Sequence, residues 1–132
     1  MKTTIIWAAI FGLSGILLGA IGAHALKVYL DAQQIMSFET GVRYQMYHAL
    51  FLLFLALLQE RFPAKAIILI RNLTIIGTIG FSFSIYLLAT QSLLGISFGF
   101  LWPVTPIGGV VLIAAWSILL YNSIKFVALK EI

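Results

Sequence analysis

The sequence predicts an all-α polytopic membrane protein with four transmembrane helices and a short interfacial helix between the first two. Two observations carry this reading. Hydrophobic residues make up 62% of the chain and charged residues 9%, far from the roughly one-quarter charged composition of soluble domains. The apolar residues also gather in four runs, about 4–25, 41–60, 66–90 and 105–125. Each is near the ~20 residues a helix needs to cross a ~30 Å hydrocarbon core. Little chain remains for a second domain, so all 132 residues read as one four-helix unit.

In the first run, Ala8, Gly12, Gly15, Gly19, Gly22 and Ala23 lie within about 100° of one another on a helical wheel. This groove of small residues, with one Gly-x-x-x-Gly, predicts close approach of another helix. The run shares features with a signal peptide, namely Lys2 ahead of it and Ala20-Ile-Gly-Ala23 near its end. Its apolar stretch exceeds the usual signal core of about 7–15 residues, so it reads as a span. Between residues 26 and 40, Asp31 followed by Gln34 has the spacing of a capping box, which predicts the short interfacial helix leading into the second span.

Counted at 100° per residue from Glu39, one half of the second helix carries Glu39, Thr40, Arg43, Tyr44, Tyr47 and His48, and the other carries Val42, Met46, Ala49 and Leu50. The third run has a second small stripe, Gly77, Gly80 and Ser84. Beside it stands a hydroxyl row, Thr74, Thr78 and Ser82, able to bond back to its own carbonyls. The two small stripes are expected to face each other or a copy of the protein. The fourth helix should be capped by Thr105 with Pro106 at its first position, where a missing N–H is harmless. Gly108 and Gly109 lower helix propensity there, so that turn is either packed against a neighbouring backbone or mobile. Trp116, roughly 15 Å further in, should sit near the midplane inside the bundle.

Eight Lys and Arg stand against four acids, but they are dispersed at segment ends rather than gathered into a stripe, which argues against a nucleic-acid partner. Lys2, Arg61, Lys65, Arg71, Lys125 and Lys130 share one side of a four-span protein, leaving Lys27 and Arg43 for the other. The positive-inside rule then puts both termini in the cytoplasm, with Trp7 suited to the inner interface and Trp102 to the outer. The chain has no cysteine, which removes thiolate chemistry and disulfides.

The candidate site is a polar cluster of His24, Glu39, Arg43, Tyr44, Tyr47 and His48 at the outer side. Charged and polar groups entering a hydrophobic helix cost free energy unless paired, and Glu39 and Arg43 have the i, i+4 spacing of an ion pair. The cluster suits structural pairing that sets helix register. It also suits proton or small-ligand handling, or anion binding through Arg43. Two histidines without a ligand-like spacing are a weak metal signal, and neither a metal nor a cofactor is expected. No catalytic motif is found, so an enzyme is not expected.

Four blocks carry a resemblance: Gly19-Ala-Ile-Gly-Ala-His-Ala-Leu26, Phe38-Glu-Thr-Gly-Val-Arg-Tyr-Gln-Met-Tyr-His-Ala-Leu50, Gly80-Phe-Ser-Phe-Ser-Ile-Tyr86-Leu-Leu and Thr105-Pro-Ile-Gly-Gly109. Together they resemble the small bacterial inner-membrane family called domain of unknown function 423. Ile21 and Ala25 depart mildly from the family's usual first block. The resemblance implies four transmembrane helices and assigns no catalytic residue. The functional expectation is a structural or accessory component that packs in a homo-oligomer or with another membrane protein in the lipid bilayer. The alternative is a small transporter or binding protein for a proton, ion or small polar solute, using the outward Arg/Tyr/His cluster.

Overall fold

In the computed structural model, which describes residues 1–130 and side chains as far as Lys125, the chain is helical almost throughout. Helix α1 spans Lys2–His24 and α2 spans Ala32–Leu58. A third long helix is made of α3, Ala64–Thr78, a π-helical turn, Ile79–Phe83, and α4, Ser84–Leu94. Helix α5 runs over Val104–Lys130. Four of these helical stretches are long and apolar enough to cross a membrane. The Lys130 side chain, used in the charge count, lies outside the described residues.

The capping box forms as the sequence predicts. Asp31 Oδ1 accepts from the Gln34 backbone N–H at 2.8 Å, and Gln34 Oε1 accepts from the Asp31 N–H at 3.0 Å. The helix it opens is the second span itself, which begins at Ala32 rather than near residue 41. No separate interfacial helix precedes it; the link from α1 is a single 3-10 turn, Leu26–Val28. The physical reason is that nothing in 32–41 breaks a helix, so the capped turn propagates into the apolar run. At 27 residues, α2 extends roughly 40 Å, longer than the hydrocarbon is thick.

Helix α5 likewise starts earlier than expected, at Val104, so Pro106 sits in its first turn and still forfeits only an N–H with no intrahelical partner. Thr105 is not the cap. Its hydroxyl lies 2.6 Å from Ser84 Oγ, which itself lies 2.6 Å from the Gly80 carbonyl. Ser84 donates to the backbone, so Thr105 donates to Ser84. The third helix ends at Gly95, whose φ of 64° is the left-handed conformation that favours glycine at a helix C-terminus.

Helices α1 and α2 pack antiparallel, and α5 packs on α3 and the π turn. The small residues of α1 meet α2 in register. A Cβ on Gly15 would approach Met46, one on Gly19 would touch Val42, and one on Gly22 would crowd Phe38. Gly12, counted in the same stripe, has no neighbour within 4 Å. The second stripe faces α5 rather than α1: a Cβ on Gly77 would press on Leu112 and the Gly108 carbonyl, and one on Gly80 would meet Gly108 Cα. The two stripes therefore do not face each other, because each fits a nearer partner. Gly108 is buried, and a Cβ there would stand 2.4 Å from Phe81 N, so the α5 turn is packed against backbone as one of the two expectations held.

The largest apolar core joins all four long helices through Ala8 and Phe11, Leu52 and Leu55, Ile67 and Ile70, and Ala115. Thr74 bonds back to the Ile70 carbonyl as expected, at 2.8 Å. The buried hydroxyls of Thr78 and Ser82 do not, and have no partner. Both adjoin or belong to the π turn, where the widened backbone departs from the regular i−4 carbonyl ladder.

Candidate functional site

The predicted polar cluster is not gathered in one place. His24 ends α1 exposed and makes no hydrogen bond. Glu39 and Arg43 are exposed on α2 and form no ion pair; Arg43 Nη2 donates instead to Thr40 Oγ1 at 3.1 Å. Tyr44 and Tyr47 are 40% and 59% exposed, their rings 6.0 Å apart. Among the six, His48 alone turns inward, at 5% exposure. The buried face of α2 runs through Phe38, Gly41, Gln45, His48, Leu52 and Leu55, the i, i+3, i+4, i+7 stripe of a packed helix. Most of the polar half of α2 thus faces away from the bundle.

Register with α1 gives the depth of that outward face. Phe38 lies opposite Gly22, Val42 opposite Gly19 and Met46 opposite Gly15. Glu39 is therefore level with the C-terminal end of α1. Arg43 is about 6 Å deeper and Tyr47 about 12 Å deeper, at 1.5 Å per residue. Arg43 can snorkel to the interface, whereas Tyr47 presents its phenol well inside the hydrocarbon.

The buried polar centre of the bundle is one that the sequence reading quoted but assigned no role. Gln45, 2% exposed, donates from Nε2 to the Phe11 carbonyl at 2.9 Å and to Ser14 Oγ at 2.8 Å. Its Oε1 accepts from the Tyr86 hydroxyl at 2.8 Å. Ser14 in turn donates to the Ile10 carbonyl at 2.6 Å. One amide therefore links α1, α2 and α4. The available signal was the cost of an unpaired glutamine in a transmembrane helix, together with a second buried polar residue, Tyr86, in the third block.

One turn further along α2, His48 Nδ1 lies 2.7 Å from the Tyr44 carbonyl, and Trp116 Nε1–H points at His48 Nε2 at 3.4 Å. A carbonyl only accepts and an indole N–H only donates. The pairing therefore places the proton on Nδ1 and leaves Nε2 an acceptor with one long, weak partner. Trp116, expected inside the bundle, is 52% exposed. One side of its ring packs on Phe51 with centroids 4.4 Å apart, and α5 has too few neighbours to cover the other.

Two clefts of about 580 and 490 Å³ lie between α2 and α5, the first lined by Tyr44, His48, Phe81 and Gly109 and the second by Leu50, Phe54 and Leu58, with Trp116 bordering both. A smaller one of about 200 Å³ lies beside Glu39 and Arg43. Another, of about 530 Å³ at the N-terminal ends of α2 and α5, is lined by Gln33, Ser37, Gln91 and Trp102 among others. Among the described residues, no three His, Cys, Asp or Glu side chains gather as metal ligands would.

The sequence matches the family described as a protein of unknown function, DUF423, over residues 18–109. It is 33% identical to the UPF0382 membrane protein YwdK of Bacillus subtilis, covering 96% of this chain and 99% of that one. It is 36% identical to the UPF0382 inner membrane protein YgdD of Escherichia coli K12, covering 92% of this chain and 88% of that one. A UPF0382 membrane protein of Haemophilus influenzae is 36% identical over 89% of this chain and 90% of its own. No solved structure matches. With a family match over most of its length and relatives aligned nearly end to end, this integral membrane protein belongs to the DUF423 family.

Proposed function

We propose that the protein is a non-catalytic assembly component of the bacterial cytoplasmic membrane, docking through the outward face of α2 onto a second copy or another membrane protein. The observation that carries this is the exposure of Glu39, Arg43, Tyr44 and Tyr47 along one face of a membrane helix, with no ion pair between the first two. Charged and phenolic groups left on a lipid-facing surface are costly, and a partner helix able to hydrogen-bond with them relieves that cost. The internal amide near them, Gln45, is already engaged within the bundle, so the exposed face is free to look outward.

The charge distribution supports an orientation with both termini in the cytoplasm. Lys2, Arg61 and Lys65 cluster at one end of the helices, and Lys27 stands at the other. The alternative, an outward site moving a proton, ion or small polar solute, draws on the cleft reaching His48. Against it, the cleft that His48 lines is bordered by neither Arg43 nor Tyr47.

Native mass spectrometry of protein extracted gently from its own membranes tests the docking role. A complex of fixed stoichiometry, dissociated by Arg43→Ala combined with Tyr47→Ala, is the expected result. A monomer under conditions that preserve known membrane complexes overturns it.

A further inference from the structure

We infer that the groove between α2 and α5 binds a neutral, lipid-soluble ring compound bearing a hydroxyl group, of the class of membrane phenols and quinols, with that hydroxyl donating to His48 Nε2. The inference requires no second polypeptide, and the groove borders the docking face at Tyr44 and Tyr47. The groove is built by two pins. At its outer end α5 is drawn onto the π turn, where Gly108 meets the backbone of Gly80 and Phe81. Deeper in, the Trp116 ring reaches across to Phe51 and His48. Between these pins α2 and α5 stay apart and leave a cleft of about 580 Å³, within the size range of small-ligand sites.

Its chemistry narrows the ligand. The cleft opens sideways at the depth of Trp116, roughly 18 Å along α5 from Val104, so a ligand enters from the hydrocarbon. No Lys, Arg, Asp or Glu lines it, so the ligand is uncharged. Aromatic side chains flank it, with Tyr44 against Phe81 at 4.6 Å and Trp116 on the other side, and they suit a flat ring. The buried His48 has its Nδ1 proton committed to the Tyr44 carbonyl, and Nε2 holds only the long contact to Trp116. That nitrogen is an underused acceptor, which calls for a donor hydroxyl rather than a carbonyl. Beyond Trp116 the second section, about 490 Å³ and almost wholly apolar, continues the groove and gives a hydrocarbon tail its path.

The test uses the full-length protein in lipid nanodiscs, carrying Trp7→Phe and Trp102→Phe so that Trp116 is the sole indole. The probes are a bromine-bearing long-chain alkylphenol and its O-methyl ether, and the readout is quenching of Trp116. Saturable quenching is expected, with the phenol binding about 5-fold or more tightly than the ether, which cannot donate; a preference of that size is one hydrogen bond's worth. His48→Phe should abolish the preference. Ile113→Phe adds bulk at an exposed residue lining the cleft, and should weaken saturable binding 10-fold or more without disturbing the core, which keeps the test decisive if the His48 variant does not fold. Linear, non-saturating quenching equal for both probes would mean partition into lipid alone and would overturn the inference. So would a phenol preference that survives in His48→Phe, or saturable binding untouched by Ile113→Phe.

Discussion

The hydroxyl of Tyr86 donates to Gln45 Oε1 at 2.8 Å, and through that one amide α4 is tied to α1 as well as to α2. Both amide hydrogens and the amide oxygen are used, so the group is satisfied in a place where water cannot substitute. In a bilayer apolar packing alone discriminates poorly between helix registers, since lipid tails are as apolar as leucine. The amide supplies the discrimination, and the glycine contacts on either side of it let the helices come close enough to form it.

Tyr86→Phe should therefore destabilise the bundle by about 1 kcal/mol, the usual scale of a membrane-buried hydrogen bond. Denaturant titration in bicelles measures this. In a double-mutant cycle, Ser14→Ala and Tyr86→Phe should be non-additive, because both act through Gln45.

Gly108→Ala should be the most damaging single methyl addition in the chain. Its Cβ would stand 2.4 Å from Phe81 N, a backbone atom that cannot rotate away, and overpacking of this kind costs ~1–3 kcal/mol or more. Gly12→Ala, with open space around it, should be neutral or slightly stabilising through helix propensity. Folded yield and thermal midpoint in the same detergent compare the two.

This pair also marks how far the sequence could be read. Apolar run length and composition were enough for four spans, and the Asp31–Gln34 spacing marked a helix start, although that start belongs to α2 itself and not to the separate interfacial helix expected there. What failed was the use of a wheel without neighbours. Polarity grouped Arg43, Tyr47 and His48 on one half of α2 without saying which way that half faces, whereas packing of Phe38, Val42 and Met46 on the α1 glycines turns His48 inward and leaves Arg43 and Tyr47 exposed. Gln45 carries no charge to mark it in the sequence, although an uncharged amide in the hydrocarbon needs partners just as surely. The π turn had no local signal, since it answers to contacts from Gly41 and Gly108 that come from distant sequence.

Glu39→Gln should leave the stability of the isolated chain within about 0.5 kcal/mol of the parent, the ordinary range for a surface substitution, because Glu39 makes no ion pair with Arg43. If that carboxylate meets a partner, the same substitution should weaken the assembly. Unfolding in dilute detergent and complex mass from native membranes separate the two effects.

Single cysteines should report the orientation. A cysteine at Lys27 should react with a membrane-impermeant maleimide added outside intact cells, and one at Lys65 only after the membrane is opened. The reverse pattern would invert the protein.

The most direct measurement is site-specific photo-crosslinking in native membranes, with a photoreactive phenylalanine analogue at Tyr47 and, as reference, at Leu13, an exposed residue of α1. The docking account predicts a discrete protein adduct of defined mass from position 47 and only lipid adducts from position 13. Lipid adducts alone from position 47, at the same yield as from position 13, would contradict it.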